Sequence, residues 1–243
     1  MDVSTIFLFF GYDLFVITKE RMRKMEKKKT IFWWKGLLWL IAFGFFTILV
    51  QIIDVQALGV QNSNIGFATI NLWIHHLFGV NLDLYIISDW LSLIVIALCL
   101  VFAMIGLLQF IQRKSLRKVD HDIILLGVYY AIVMFVYVGF ETVVINYRPI
   151  LIDGRMEISY PSSTTLLVLS VMLSVIFQIK RRIKSNKLKT ILLVLSWIFM
   201  ISMVVFRFIS GVHWFSDIVG SILFSIGLYQ CYESLVMLMD QNR

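Results

Sequence analysis

The sequence predicts an all-α integral membrane protein, a six-transmembrane-helix bundle with both termini cytoplasmic. Three observations predict it: the composition, six apolar stretches of spanning length, and the placement of basic residues. Of 243 residues, 60% are hydrophobic and only 15% charged, and the mean hydropathy is +0.87. A soluble domain of this size keeps roughly a quarter of its residues charged, because a small globule has much surface to solvate. The bilayer is therefore the expected solvent.

A hydrocarbon core of ~30 Å takes about 20 helical residues. Six stretches meet this: Leu37–Ile53, Trp90–Ile111, Ile123–Phe140, Pro161–Ile179, Thr190–Phe206 and Ile218–Met239. Each is apolar around its circumference, unlike a half-buried soluble helix, and nothing alternates with strand period. Only Pro149 and Pro161 interrupt the chain, so long helices form unhindered.

Lysine and arginine placement sets the orientation. Six alternating spans put all but three of the 22 on one side, in segments 19–35, 113–118 and 180–189 and at Arg243. Only Arg148, Arg155 and Arg207 remain for the other. This asymmetry predicts a multi-pass plasma-membrane protein with residues 141–160 and 207–217 extracytoplasmic. The first outer connection contains Gly66–Gly79, which reads as a short helix lying in the interface. Its His75 and His76 read as a polar face at the headgroup boundary. Residues 1–30 read as a cytoplasmic or interfacial extension preceding a membrane domain of residues 31–243. Ile6–Ile17 is short, is broken by Asp13, and precedes its positive charges, the wrong order for a secretory signal. Met25 would make a sensible start site. Cys99 and Cys231 lie in apolar stretches and read as small hydrophobes. The basic loops read as topology signals, not as a nucleic-acid surface.

Three outer segments gather polar residues: Asn146-Tyr147-Arg148-Pro149, Tyr160-Pro161-Ser162-Ser163-Thr164-Thr165, and Arg207 through Asp217. A helix starting near Ser162 and Ser163 presents unpaired N–H groups and a positive dipole end, a ready anion site; simple helix capping calls for the same residue types. Arg148 and Arg207 supply permanently charged, fork-shaped donors suited to phosphate. His213 and Asp217 are four residues apart, so the carboxylate can hold one ring nitrogen and leave the other as nucleophile or base. An anion cradle beside an oriented histidine points to phosphoryl transfer.

These residues resemble the type-2 phosphatidic acid phosphatase superfamily, whose signature is Lys-x6-Arg-Pro, Pro-Ser-Gly-His and Ser-Arg-x5-His-x3-Asp. The third part fits from Arg207 through His213 to Asp217, with Phe206 in the serine place. The first fits at Arg148-Pro149, with Glu141 in the lysine place. The second fits at Pro161-Ser162, with Ser163 for glycine and Thr164 for histidine. The resemblance implies that His213 attacks phosphorus and that Asp217 orients it. It also implies that Arg148, Arg207 and the Ser162–Ser163 backbone hold phosphate oxygens, with no metal and no cofactor. Arg155 is a candidate accessory cation for the missing lysine. Thr164 cannot protonate a leaving group as the family's histidine is taken to do. That favours a polyprenyl diphosphate such as undecaprenyl diphosphate over a phosphate monoester. The partner expected is a membrane lipid phosphate or diphosphate in the bilayer. A catalytically weak or silent member that binds lipid phosphates is the alternative. A transporter fits less well, because the spans carry few charges and few Gly/Pro breaks.

Overall fold

The structure, a computed structural model, describes residues 34–241, so the expected extension over residues 1–30 lies outside the described residues. Among the described residues, six helices are long and apolar enough to cross a membrane: α1 (Trp34–Ile52), α3 (Leu82–Arg113), α4 (His121–Phe140), α5 (Ser163–Arg182), α6 (Asn186–Ile209) and α7 (Phe215–Gln241). A seventh, α2 (Ala68–Phe78), lies in the connection between α1 and α3, within Gly66–Gly79, where a short helix is expected. The protein is thus the all-α, six-span bundle that composition and hydropathy predict. Among the described residues the extended structure is limited to isolated bridges.

The largest departure from expectation is the start of α3. Hydropathy places that span from Trp90, but the helix begins at Leu82, with Asn81 Oδ1 accepting the Leu84 N–H at 3.0 Å as its N-cap. Asp83, Ser88 and Asp89 depress the local hydropathy without breaking the helix. They lie on its first two turns.

The bundle is built around α5. It packs against α3, α4, α6 and α7, and most of its length is buried while the other spans are largely exposed on their outer faces. Phe135 is 80% and Trp90 69% exposed, as lipid-facing side chains are. A buried polar stripe at helical spacing runs down α5. The Tyr129 hydroxyl donates to the Ser170 carbonyl at 3.0 Å, Tyr130 and Ser174 share a hydrogen bond of 2.8 Å, and Gln178 donates to Tyr232 at 2.9 Å. An unsatisfied polar group in hydrocarbon costs several kcal/mol, and these bonds pair the two tyrosine hydroxyls of α4, Ser174 and Gln178 inside the bundle, while Ser170 Oγ has no partner among the described residues. Close approach fixes α1 on α7: a Cβ on Gly36 would lie 2.6 Å from Cys231 Sγ, and one on Gly227 2.9 Å from Leu40.

At one end of the bundle, buried Asp122 takes Arg182 at 2.8 Å, and Arg181 takes Asp240 at 2.6 Å, tying α4, α5 and α7 together. The basic loops between α3 and α4 and between α5 and α6 are at this end. The polar segments of the candidate site lie at the other.

Candidate active site

Arg148 is positioned by backbone pairing within the α4–α5 connection. Arg148 N–H donates to the Glu157 carbonyl at 3.0 Å and Ser159 N–H to the Asn146 carbonyl at 2.9 Å, around a turn at Asp153 and Gly154. Residues 146–148 therefore lie beside residues 157–159. Arg148 is buried, with Nε 3.1 Å from Glu157 Oε2 as an ion pair lacking hydrogen-bond alignment.

The start of α5 is pinned to the start of α7. Ser162 N–H donates to the Asp217 carbonyl at 3.2 Å, and Ser221 Oγ donates to the Ser162 carbonyl at 2.9 Å. Ser162 occupies the N-cap position but makes no side-chain cap hydrogen bond. Its hydroxyl instead shares a 3.0 Å hydrogen bond with Thr165 Oγ1. The capping alternative is thus not what this hydroxyl does, and the first-turn N–H groups of α5 keep their anion-binding capacity. Ser163 and Thr164 are half-buried beside it.

Between α6 and α7 the chain must turn sharply. Gly211 supplies a φ of +66°, and a Cβ there would lie 2.0 Å from the Gly79 carbonyl oxygen. Both facts demand glycine. His213 follows in this turn, and α7 begins two residues later. Trp214 is the N-cap residue. Asp217 Oδ2 reaches back to its N–H at 2.8 Å, as a carboxylate at the third helical position does in a capping box. Asn71 of α2 completes the cap: its Oδ1 accepts the Ser216 N–H at 3.1 Å, and its Nδ2 donates to Ser216 Oγ at 2.9 Å. Trp214 Nε1 donates to the Tyr147 carbonyl at 2.7 Å and joins this turn to the Arg148 segment.

His213 is 4% exposed. Its Nδ1 is 3.1 Å from the Ser159 carbonyl and 3.6 Å from Asp217 Oδ2. The one-turn spacing predicts that Asp217 holds the ring; in the structure the shorter contact is to Ser159, because His213 precedes the helix rather than riding on it. A carbonyl only accepts, so Nδ1 carries the proton and Nε2 presents a lone pair. Burial first, then the positive charges of Arg148 and Arg207, pull the His213 pKa well below its ordinary value. The ring is held neutral.

Arg207, in the last turn of α6, is 2% exposed. Its Nη1 donates to Asp89 Oδ1 at 2.8 Å and to Ser88 Oγ at 3.1 Å. Tyr85, one turn earlier on α3, lies under both guanidinium groups, with its ring centroid 4.6 Å from Arg207 Cζ and 5.7 Å from Arg148 Cζ. Arg148 Nη1, Arg207 Nε and His213 Nε2 are buried without a hydrogen-bond partner among the described residues. Buried donors and acceptors without protein partners are open to a ligand. Two unpaired cationic donors beside a free imidazole nitrogen suit a phosphoryl group.

The structure therefore brings together Arg148, Ser162, Arg207, His213 and Asp217 from three separate segments. Arg155 is exposed on the turn beyond Arg148, and Glu141 is exposed at the end of α4. Sequence reasoning misses Tyr85, Ser88, Asp89, Asn71 and Ser159. The spacing of Tyr85, Ser88 and Asp89 at i, i+3 and i+4 was the available signal for the first three. His75 is not purely a polar surface residue: half-buried, it lies with its ring 5.5 Å from that of Trp214, and burial lowers its pKa. His76 is exposed. Among the described residues, no group of three or more His, Cys, Asp or Glu is arranged to hold a metal ion.

No protein-family model matches the chain. No curated protein matches it by sequence. Among solved structures, the chain is similar to a transmembrane PAP2-type phosphatidylglycerolphosphate phosphatase from Bacillus subtilis, at 17% identity and a TM-score of 0.54. The match covers 86% of this chain and 97% of that one. The chain has the fold of a transmembrane PAP2-type phosphatase.

Proposed function

We propose that this protein is a membrane-embedded phosphatase that hydrolyses a lipid phosphate or polyprenyl diphosphate at the outer membrane face, through a phosphohistidine on His213. The observation that carries the reading is the state of that ring. Nδ1 is committed to the Ser159 carbonyl, and Nε2 is unpartnered in a group where Arg148 Nη1 and Arg207 Nε also lack partners.

In this scheme Nε2 attacks phosphorus while the bond from phosphorus to the leaving oxygen breaks. Arg148, Arg207 and the first-turn N–H groups of α5 take up the charge on the remaining oxygens. Water then attacks the phosphohistidine, releasing inorganic phosphate and restoring the imidazole. The leaving oxygen needs a proton in proportion to its basicity. A Thr164 hydroxyl is too weak an acid to give one, and general acid catalysis is typically worth ~10²–10⁴-fold. A diphosphate expels a phosphate monoester, which departs readily, whereas a phosphate monoester expels an alkoxide. Thr164 thus favours a polyprenyl diphosphate, with undecaprenyl diphosphate as the natural first test.

A second reading is a silent lipid-phosphate binder. It is favoured by Thr164 and by the commitment of Arg207 Nη1 to Asp89. One experiment separates the two: phosphate release by purified protein from undecaprenyl diphosphate, phosphatidate and phosphatidylglycerol phosphate, with His213→Ala alongside. Turnover on the diphosphate above the other two, abolished in His213→Ala, is expected. Equal turnover in wild type and His213→Ala overturns the phosphohistidine, and binding without turnover by wild type supports the second reading.

A further inference from the structure

Neither the motif pattern nor the chemistry above uses Tyr85, on the first turn of α3. Its ring is a contact shared by two cations that arrive from different parts of the chain. Arg148 comes from the α4–α5 connection and Arg207 from the last turn of α6. Like charges this close repel. Each has its own carboxylate, Glu157 for Arg148 and Asp89 for Arg207. Those two carboxylates sit on separate elements, and each pairs with one guanidinium group only.

An aromatic face is electron-rich and attracts guanidinium ions, more strongly where water is excluded. The Tyr85 ring is half-buried and has Arg207 at 4.6 Å and Arg148 at 5.7 Å. Three residues on, Ser88 takes Arg207 Nη1, and Asp89 follows, so the helix turn that carries Tyr85 also anchors Arg207. The need for such alignment is greater here because Glu141, in the place of a family lysine, is exposed at the end of α4. A phosphate group would then rest on two cations rather than three, and their relative placement decides whether both can reach it.

We propose that Tyr85 is a positioning residue whose ring holds Arg148 and Arg207 against one face, so that both engage a single phosphate group. The inference rests on the reading of these arginines as phosphate ligands. It assigns the work to the ring rather than to the hydroxyl.

The test compares Tyr85→Phe and Tyr85→Leu with wild type, as full-length protein in lipid nanodiscs. Three quantities are read: affinity for inorganic phosphate, kcat and KM on undecaprenyl diphosphate, and the thermal midpoint. Tyr85→Phe keeps phosphate affinity within about threefold of wild type, whereas Tyr85→Leu weakens it by about tenfold or more and lowers kcat/KM in parallel. A purely structural role would lower the thermal midpoint and leave phosphate affinity of the folded protein unchanged. That result, or Tyr85→Phe failing as badly as Tyr85→Leu, overturns the proposal. Because phosphate binding needs no turnover, the two readings fail separately. Phosphate binding without hydrolysis by wild type removes the hydrolase reading and still decides Tyr85, while hydrolysis with full phosphate affinity in Tyr85→Leu removes Tyr85 alone. Wild type that binds no phosphate removes both.

Discussion

The His213 ring donates from Nδ1 to the main-chain carbonyl of Ser159 at 3.1 Å. A backbone carbonyl cannot be removed by a side-chain substitution at its own residue. The tautomer of this ring is therefore built into the pairing of residues 146–148 with 157–159. Asp217, 3.6 Å from the same nitrogen, acts chiefly as the N-terminal cap of α7. Asp217→Asn keeps an acceptor for the Trp214 N–H and leaves the Ser159 contact intact. It should retain measurable phosphate release, while His213→Ala retains none. Asp217→Ala should also lose about 1 kcal/mol of stability with the cap, readable as a lower thermal midpoint than Asp217→Asn.

The pH dependence follows from the depressed pKa of His213. Its ordinary value is about 6.5, so the ring stays neutral below that pH. Arg148→Gln removes one of the charges that depress it, so the acid limb of kcat/KM should move to higher pH. An unmoved limb would show that another group sets it. The same shift affects stability. With the folded value below the unfolded one, the unfolded chain takes up the proton first as pH falls. Stability from the neutral ring is full above about 6.5 and is lost progressively as pH falls from there to the lower folded value.

Asp89 is the carboxylate partner of an arginine that is nearly excluded from solvent. Removing it strands a buried guanidinium, although Asp89 itself is half-exposed, which moderates the loss. Asp89→Ala should cost about 1 kcal/mol and lower kcat/KM roughly tenfold, with Asp89→Asn between it and wild type. Thermal unfolding and steady-state kinetics on the same preparations check this.

Gly211 has two independent reasons to be glycine, its positive φ and the Gly79 carbonyl. Gly211→Ala should therefore destabilise by about 1–3 kcal/mol and reduce activity further, since His213 lies two residues on. Wild-type kcat in a folded Gly211→Ala protein would mean that the turn and His213 are uncoupled.

Orientation is tested by labelling. In a background with Cys99 and Cys231 replaced by alanine, Leu151→Cys should react with an impermeant thiol reagent in intact cells, and Lys187→Cys should not. The reverse pattern would put the site on the cytoplasmic side.

Much of this was legible in the sequence, for identifiable reasons. Lipid imposes a requirement for long apolar helices that hydropathy reads directly, and all six spans follow from it. Arg207, His213 and Asp217 stand close enough in the chain for spacing to relate them. Tyr85, Ser88 and Asp89 were obscured because polar residues on one face of a spanning helix lower its hydropathy and mimic a loop. The Ser159 contact could not be read at all, since a backbone carbonyl has no sequence signature. Asn71 is similar: a lone asparagine on a short helix gives no sign that it caps a different helix 145 residues away.

The length of α3 has a consequence for how a substrate reaches the site. Its 32 residues rise through ~48 Å, and even at the ~40° limit of ordinary tilt they cover about 37 Å along the membrane normal, more than the ~30 Å of hydrocarbon. The helix must overshoot, and its polar ends, Asp83 to Asp89 and Arg113, are the parts suited to the headgroup layer. Centred on the bilayer, the helix has Tyr85 and Asp89 near the boundary between hydrocarbon and headgroups. A lipid could present its phosphate to Arg148 and Arg207 by sideways diffusion, with its chains still dissolved in the leaflet. The free energy of extracting an acyl or prenyl tail into water, ~0.8 kcal/mol for each methylene, need never be met.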